Sequence, residues 1–224
     1  MGDGLDEVRG LMALATGDEK HDESSTSTLD ALWVLYDNVL HVDPANPSDP
    51  DRDRFILSKG HGPAAFYAVL AAKGFFPENE LDGFLTWGSG LGSHPDRHQV
   101  PGVEASTGSL GHGLPLGVGV ALALRAKGKA DRRVVVLCGD AELNEGSNWE
   151  AIMLAPQLQL GNLTLLVIDN GSSIIDLVPI HERLAVFGWR AEQVDGRDHG
   201  ALEAALSGRY HEPAAVVATV RTPP

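Results

Sequence analysis

The sequence predicts an α/β fold, with a doubly wound, mainly parallel sheet and helices on both faces. The runs at 133–138 and 163–168 are apolar almost throughout, which is typical of strands buried on both sides. Segments with apolar residues at helical spacing alternate with these runs along the chain. A length of 224 residues, 43% of them apolar, is enough for one domain over residues 1–224.

The other elements follow from local patterns in chain order. Residues 1–28 contain an acidic helix and then a Ser/Thr-rich loop at 24–28, and we expect this N-terminal segment to be partly flexible. Residues 29–40 form an amphipathic helix, and the proline-rich stretch 41–54 forms a surface loop. Further helices are predicted at 62–73, from Pro77 onward, and at 114–127, 144–159, 181–187 and 200–207, and further strands at 55–57, 190–194 and 214–220.

Composition and charge exclude several classes of protein. A net charge of −14 argues against nucleic acid as a partner, because such binding depends on Lys and Arg contacts to phosphates. No apolar run reaches the ~18 residues of a membrane-spanning helix, and the N-terminus lacks the pattern of a secretory signal. The single cysteine, Cys138, lies in a predicted buried strand, which excludes an internal disulfide and fits a cytoplasmic protein.

Two polar residues directly follow the apolar strands. Asp140 comes after the first strand and Asn170 after the second. Ligands of doubly wound folds bind beyond the carboxyl ends of the strands, which points to residues 139–145 and 169–173. Carboxylate and amide oxygens suit a hard cation such as Mg²⁺. The alternative is that both are plain turn residues, since Asp and Asn are common in turns.

A glycine-rich loop and three histidines complete the set of candidate residues. The loop at 107–113 opens onto an apolar helix, and its glycines allow a ligand to approach the backbone closely. His21, His61 and His94 lie in loops or at a helix start, where an imidazole can bind a phosphate or hydroxyl or carry a proton. Each histidine is also compatible with an ordinary surface position.

These segments resemble one family in both content and order. The stretches DRDRFILSKGHG (51–62), GSHP (92–95), PGVEASTGSLG (101–111) and GDAELNEG (139–146) resemble the N-terminal, diphosphate-binding domain of transketolase. The resemblance extends over about residues 21–220. It implies thiamine diphosphate as the cofactor, with Mg²⁺ or another divalent cation such as Ca²⁺ or Mn²⁺.

The resemblance also implies roles for individual residues. The metal ion would be held by Asp140, Asn170 and the carbonyl oxygen of Ser172. The implied cofactor contacts are the backbone at Gly139 and Ala141 and the His61 side chain for the diphosphate, Gly108, Ser109 and Leu110 for the aminopyrimidine, and Ile174 for the thiazolium. The implied catalytic histidines are His21, His61 and His94, and the residue implied to communicate across the dimer interface is Glu145.

The resemblance implies transfer of a two-carbon ketol unit from a ketose-like donor to an aldehyde acceptor. In the family, the glutamate that activates the cofactor lies in a second, pyrimidine-binding domain, which this sequence does not show before it ends at Pro224. We therefore expect a separate, C-terminal transketolase-like partner subunit that carries this domain, in an α₂β₂ assembly. We expect the chain to act as a transferase only with that partner.

Some positions depart from the family pattern. Ala141 replaces a glycine beside Asp140, and binding survives this change if the backbone φ there is negative. Asp22 and Glu23 follow His21, and their charges disfavour a phosphorylated donor. We therefore expect an unusual or non-phosphorylated substrate, in specialised metabolism.

Three alternatives stay open. The same cofactor supports acyloin formation or decarboxylative coupling of 2-oxo acids. A non-catalytic scaffold subunit derived from the same domain is a second alternative, although Asp140 and Asn170 are both present. A dinucleotide-binding domain is the least favoured, because no Gly-x-Gly-x-x-Gly follows the first strand with an acidic residue ~20 positions beyond.

Overall fold

The computed structural model describes residues 2–15 and 22–220, which form seven α-helices and five β-strands. The helices are α1 (Gly2–Met12), α2 (Asp22–Val34), α3 (Ala64–Ala72), α4 (Gly113–Ala126), α5 (Gly146–Gln157), α6 (Ile180–Val186) and α7 (His199–Ser207). The strands are β1 (Arg54–Leu57), β2 (Val134–Gly139), β3 (Leu163–Asp169), β4 (Arg190–Asp195) and β5 (Ala214–Thr219). Every predicted strand is present, within one residue of each predicted bound.

All five strands are parallel and pair in the order β1-β2-β3-β5-β4. β2 and β3 lie inside the sheet and are buried at every position, which explains their continuous apolar sequences. β4 lies at an edge of the sheet, and its sequence is correspondingly more polar and more exposed. The prediction of a doubly wound, parallel α/β sheet is confirmed.

Side chains along each strand alternate between two hydrophobic cores, one on each face of the sheet. Val135 belongs to the core beneath α1, α2, α3 and α7, whereas Val136 and Cys138 belong to the core beneath α4, α5 and α6. The first core includes a cluster of aromatic rings at edge-to-face or tilted angles, formed by Tyr36, Phe55, Phe66 and Phe75. Because both faces are covered, ligands can reach the strands only at their ends.

The N-terminal part of the chain differs from its prediction. Residues 24–28 are not a loop, because α2 runs without interruption from Asp22 to Val34. Ser25 Oγ donates to Gly62 O at 2.5 Å, and Thr28 Oγ1 donates to Ser25 O at 2.8 Å. These small polar side chains form local hydrogen bonds and pack closely, so tertiary contacts outweigh their low helix propensity.

The helix predicted at 144–159 is also divided at its start. A 3₁₀ turn covers Ala141–Asn144, and Glu145 then adopts an extended backbone with φ −78° and ψ 127° before α5 begins. Pro77 precedes a second 3₁₀ turn at Glu78–Gly83, where a short helix is predicted. Within the two described ranges, no helix is both long and apolar enough to cross a membrane.

Candidate functional site

Asp140, at the carboxyl end of β2, is the buried carboxylate around which the candidate site is built. It is 1% exposed, and its backbone N–H donates to Ile168 O at 3.0 Å because β2 pairs with β3. Its Oδ1 accepts from Ala141 N at 2.9 Å and from Ser172 Oγ at 2.7 Å. Its Oδ2 accepts from Ser173 N at 3.1 Å, so the carboxylate faces the turn after β3.

Asn170 begins that turn and folds back onto it. Its side-chain Oδ1 accepts from Ser172 N at 3.3 Å. Ser172 is therefore a shared neighbour of Asn170 and Asp140, which brings the two predicted metal-binding loops together at one edge of the sheet. The described residues contain no group of three or more His, Cys, Asp or Glu side chains arranged for a metal ion. A cation at this edge would rest on Asp140, neutral protein oxygens and the oxygens of a bound anion, a set that suits Mg²⁺.

A cleft of about 260 Å³ lies beside Asp140. Its lining consists of Asp140, Gly171, Ser173, Ile174, Ile175, Asp176, Leu177, Val178 and Ile180. The Ile174 side chain is 96% exposed, which is unusual for a residue of this size and leaves an apolar group at the opening. The cleft therefore joins a buried anion to an exposed apolar wall.

The predicted glycine-rich loop meets two of the predicted histidines. The rings of His61 and His94 lie edge to face, with centroids 5.0 Å apart. Gly108 has φ +129°, and a Cβ atom there would clash with the His94 ring. A Cβ at Gly60 would lie 2.7 Å from Gly108 N. Glycine is thus required at both positions, and the predicted convergence of these loops is present.

Glu142 and Ser58 are central residues that are absent from the predicted set. Glu142 is 1% exposed, and its Oε1 accepts from Ser58 Oγ and, at 2.9 Å, from Gly111 N. Its Oε2 accepts from Gly139 N at 3.4 Å, and Ser58 Oγ itself accepts from Gly113 N at 3.0 Å. Burial raises the pKa of Glu142 above its ordinary value. These bonds fasten the glycine-rich loop to the sheet.

Lys59 is another residue missing from the predicted set. It is buried next to the end of β2, where a Cβ atom at Gly139 would lie 3.1 Å from its Cδ. Burial lowers the Lys59 pKa to about 8, although the charges of Asp140 and Glu142 oppose this shift. The only sequence signal was its place in the family-like stretch at 51–62, because a loop lysine is ordinarily a surface residue.

Four predicted residues have more limited support. His112 Nδ1 lies 3.2 Å from the carbonyl oxygens of both Ser109 and Leu110, which positions their backbone only. Glu145 is exposed where α5 begins. Ala141 lies in a 3₁₀ turn and is not among the described residues with positive φ, so its methyl group is tolerated. Its N–H already donates to Asp140, and a diphosphate contact there would share that bond.

The predictions that involve His21 lie outside the described residues. The same holds for the side chains of Asp22 and Glu23, on which the prediction of a non-phosphorylated donor depends.

The comparison with known families rests on the whole chain rather than on these residues alone. Residues 8–221 match the model of the transketolase thiamine diphosphate binding domain. The chain belongs to the transketolase family. Among its curated relatives is "Ferredoxin fas2" of Rhodococcoides fascians, 50% identical over 217 residues, which are 96% of this chain and 71% of that protein.

Two other relatives are named as subunits. The first of two subunits of an apulose-4-phosphate transketolase, from Actinobacillus succinogenes, is 40% identical, over 80% of this chain and 67% of that protein. The 6-deoxy-6-sulfo-D-fructose transketolase subunit SqwG of Clostridium sp. is 37% identical, over 83% of this chain and 70% of that protein. Human transketolase is 34% identical over 94% of this chain, which spans only 35% of the human enzyme.

Solved transketolase structures share the fold. The enzyme from Leishmania mexicana aligns with a TM-score of 0.80 at 27% identity, covering 98% of this chain and 37% of that one. A Pichia stipitis transketolase variant in complex with fructose-6-phosphate aligns with a TM-score of 0.81 at 28% identity, over 96% of this chain and 36% of that one. The chain therefore spans little more than a third of these transketolases, and the predicted family and fold are both confirmed.

The ferredoxin name of one relative does not extend to the chemistry of this sequence. Iron–sulfur clusters of ferredoxins are held by sets of cysteine thiolates. This chain has one cysteine, Cys138, which is buried in the core. Burial raises its pKa well above the ordinary thiol value, the opposite of what a metal-binding thiolate needs.

Proposed function

We propose that this chain is the diphosphate-binding and metal-binding subunit of a two-subunit, thiamine diphosphate-dependent transketolase-like enzyme. In this proposal the enzyme transfers a two-carbon ketol unit from a ketose-like donor to an aldehyde acceptor. The observation that carries the proposal is the contact of Asp140 and Asn170 with the same turn residue, Ser172, within a domain that matches a thiamine diphosphate family.

The chain's own residues provide a chemically suitable holder for the cofactor. Asp140, the side-chain oxygen of Asn170 and the carbonyl of Ser172 would bind Mg²⁺, or Ca²⁺ or Mn²⁺ in its place. The diphosphate would lie against the backbone of Gly139, with the buried Lys59 ammonium supplying positive charge. When bound, thiamine diphosphate supplies the electron sink for breaking and making the carbon–carbon bond.

The paired histidines define the donor side of the site. His61 and His94 lie next to each other at the glycine-rich loop, and Gly108 keeps the backbone close to the His94 ring. Imidazoles in this position would bind donor hydroxyl groups and move protons near neutral pH. We assign the same role to His21, and we assign contacts with the aminopyrimidine to Gly108, Ser109 and Leu110.

An exposed apolar surface supports the proposed partner subunit. Ten large hydrophobic side chains are exposed within the described ranges, and eight of them lie on α4, α5 or α6 or in the loops that flank α6. These eight residues, called the apolar face below, are Leu116, Met153, Leu154, Ile174, Ile175, Val178, Val186 and Phe187. Clustered exposed apolar groups mark surfaces that bind other proteins.

We assign the apolar face to the C-terminal transketolase-like subunit, which would carry the pyrimidine-binding domain and the activating glutamate. The subunit names of two relatives support a divided enzyme. The face is continuous with the cleft, because Ile174, Ile175 and Val178 belong to both. Glu145, exposed at the start of α5, lies at the same side and would connect the two active sites of an α₂β₂ assembly.

Calorimetric titration of the reconstituted two-subunit complex with Mg²⁺ and thiamine diphosphate tests the proposal. The complex should bind the cofactor and show ketol transfer, whereas the isolated chain should show none. Asp140→Ala should abolish cofactor binding, and the control Asp82→Ala, at an exposed acid in the distant 3₁₀ turn, should not. Unchanged cofactor affinity in Asp140→Ala, or ketol transfer by the chain alone, would contradict the assignment.

A further inference from the structure

A second concave surface lies at the opposite end of the sheet from the cofactor site. It encloses about 440 Å³ and is lined by three arginines. Arg125 lies in the last turn of α4, Arg132 precedes β2, and Arg209 follows α7. All three positions are near the amino ends of the strands. The other lining residues that bear on ligand chemistry are Asn162, Tyr210 and His211.

The arginine pocket (Arg125, Arg132 and Arg209) lies within an unusual concentration of positive charge. Five of the chain's seventeen Lys and Arg residues fall between positions 125 and 133, beside one acid, Asp131. The chain as a whole carries a net charge of −14, so charge is strongly separated along the molecule. A local positive field on an acidic protein attracts anions to one end.

The guanidinium groups are positioned but not fully used by the protein. Arg125 Nη1 donates to Leu158 O at 2.5 Å, and Arg209 Nη1 donates to Asp131 O. A guanidinium has five N–H donors, so each of these arginines retains further donors for a ligand. Among the described residues, the buried Nε of Arg132 has no hydrogen-bond partner, and its Nη2 is 3.5 Å from Asp131 Oδ2.

The walls of the pocket favour a small, tetrahedral oxyanion. The Arg190 guanidinium lies over the Tyr210 ring, with 4.2 Å from its Cζ to the ring centroid, which holds the aromatic wall in place. Arg forks recognise phosphate through paired N–H···O bonds. The backbone beneath is closely packed, because a Cβ at Gly161 would clash with the carbonyl oxygen of Tyr210.

We propose that the arginine pocket is a binding site for a phosphate group, separate from the diphosphate site at the other end of the sheet. A ligand there would connect the end of α4, the start of β2 and the loop between α7 and β5. The ligand is either free phosphate or the phosphate of a small ester.

Calorimetric titration of the full chain with inorganic phosphate, and separately with ribose 5-phosphate, tests this site. Both runs use metal-free buffer at constant ionic strength, and chloride provides the background. Arg132→Gln combined with Arg209→Gln should weaken phosphate binding at least tenfold, and the corresponding lysine variant should lie between. Arg9→Gln, at an exposed surface ion pair, should bind as the wild type. Asp140→Ala should also leave phosphate affinity unchanged.

The two probes distinguish the source of the phosphate. Tighter binding of ribose 5-phosphate would identify an ester, and equal binding would identify the phosphate group alone as the recognised unit. Circular dichroism and thermal unfolding of each variant establish that the fold is intact. The proposal is overturned if folded Gln variants bind phosphate as well as the wild type, or if phosphate binds no better than chloride. Heat only with an acidic peptide would instead indicate a protein partner and would also overturn it.

Discussion

Asp140 and Glu142 are two residues apart and equally buried, but they belong to different parts of the site. Apart from Ala141 beside it, Asp140 accepts hydrogen bonds from the turn after β3, at residues 172 and 173. Glu142 accepts hydrogen bonds from the end of β1, the glycine-rich loop and the end of β2. One carboxylate thus faces an open cleft, whereas the other joins three rigid segments.

This difference separates binding from architecture within one short segment. The donors around Asp140 are two serines of a partly exposed turn, which can exchange them for a cation at little cost to the fold. The donors around Glu142 have no such alternative, because a buried N–H that loses its acceptor costs about 1–3 kcal/mol. We therefore expect substitutions at the two positions to have opposite signatures.

The largest effect is expected for Asp140→Asn. Loss of the charge should weaken cofactor binding by the two-subunit complex at least ~100-fold, or about 2.7 kcal/mol at 1.36 kcal/mol per decade. The free energy of unfolding of the metal-free chain should change by less than about 1 kcal/mol, since neutral hydrogen bonds replace charged ones. Calorimetry and urea unfolding measure the two quantities. A large stability loss with normal cofactor affinity would reverse the roles assigned to Asp140 and Glu142.

The reciprocal result is expected for Glu142→Ala. Removing this side chain leaves Ser58 Oγ and Gly111 N without their acceptor and creates a small cavity. We expect a loss of about 2–3 kcal/mol in the free energy of unfolding, measured in urea. Glu142→Gln, which keeps one oxygen acceptor, serves as the matched variant and should lose less than half of that. Equal losses in both variants would show that the hydrogen bonds do not support the fold.

A smaller effect is expected at the glycine-rich loop. Gly108→Ala introduces a Cβ atom against the His94 ring at a backbone φ of +129°. We expect a loss of about 1–2 kcal/mol in stability, together with reduced ketol transfer. Gly119→Ala is the control, because its Cβ would have no heavy atom within 4 Å and it lies inside α4. That change should stabilise the chain by about 0.5–1 kcal/mol, and a loss there would contradict the described helix.

The smallest effect concerns pH. Because burial raises the Glu142 pKa above 4.5, the folded chain keeps this proton at a pH where the unfolded chain has lost it. Its stabilising contribution is present below 4.5 and is lost as pH rises through the folded pKa. In metal-free buffer, Glu142→Gln should therefore gain stability relative to the wild type across this range, by at most about 1.36 kcal/mol per pH unit. Parallel stability curves for the two proteins would disprove the raised pKa.

Much of the fold follows from sequence because burial on both faces leaves a direct compositional mark. The runs that became β2 and β3 are apolar throughout, and the strand-end rule then located Asp140 and Asn170 correctly at one edge. The Ser/Thr segment at 24–28 was misassigned because its helix depends on a hydrogen bond to Gly62, far along the chain. Local propensity contains no information about such a partner.

The missing site residues have the same physical explanation. Ser58 is important because it meets a carboxylate 84 positions later, and no spacing rule connects the two. Lys59 looks like a surface lysine until the neighbouring strand end encloses it. The arginine pocket is assembled from three separate connections at the amino edge, so only the charge cluster at 125–133 was visible in the sequence.

The apolar face has a consequence for how the protein must be produced in a cell. A chain made in excess of its partner would present Leu116, Met153 and Phe187 to water and to other copies of itself. Self-association would then compete with correct pairing, as is typical of unpaired components of permanent complexes. We therefore expect balanced synthesis of the two subunits, and soluble yield should rise in proportion to co-expressed partner.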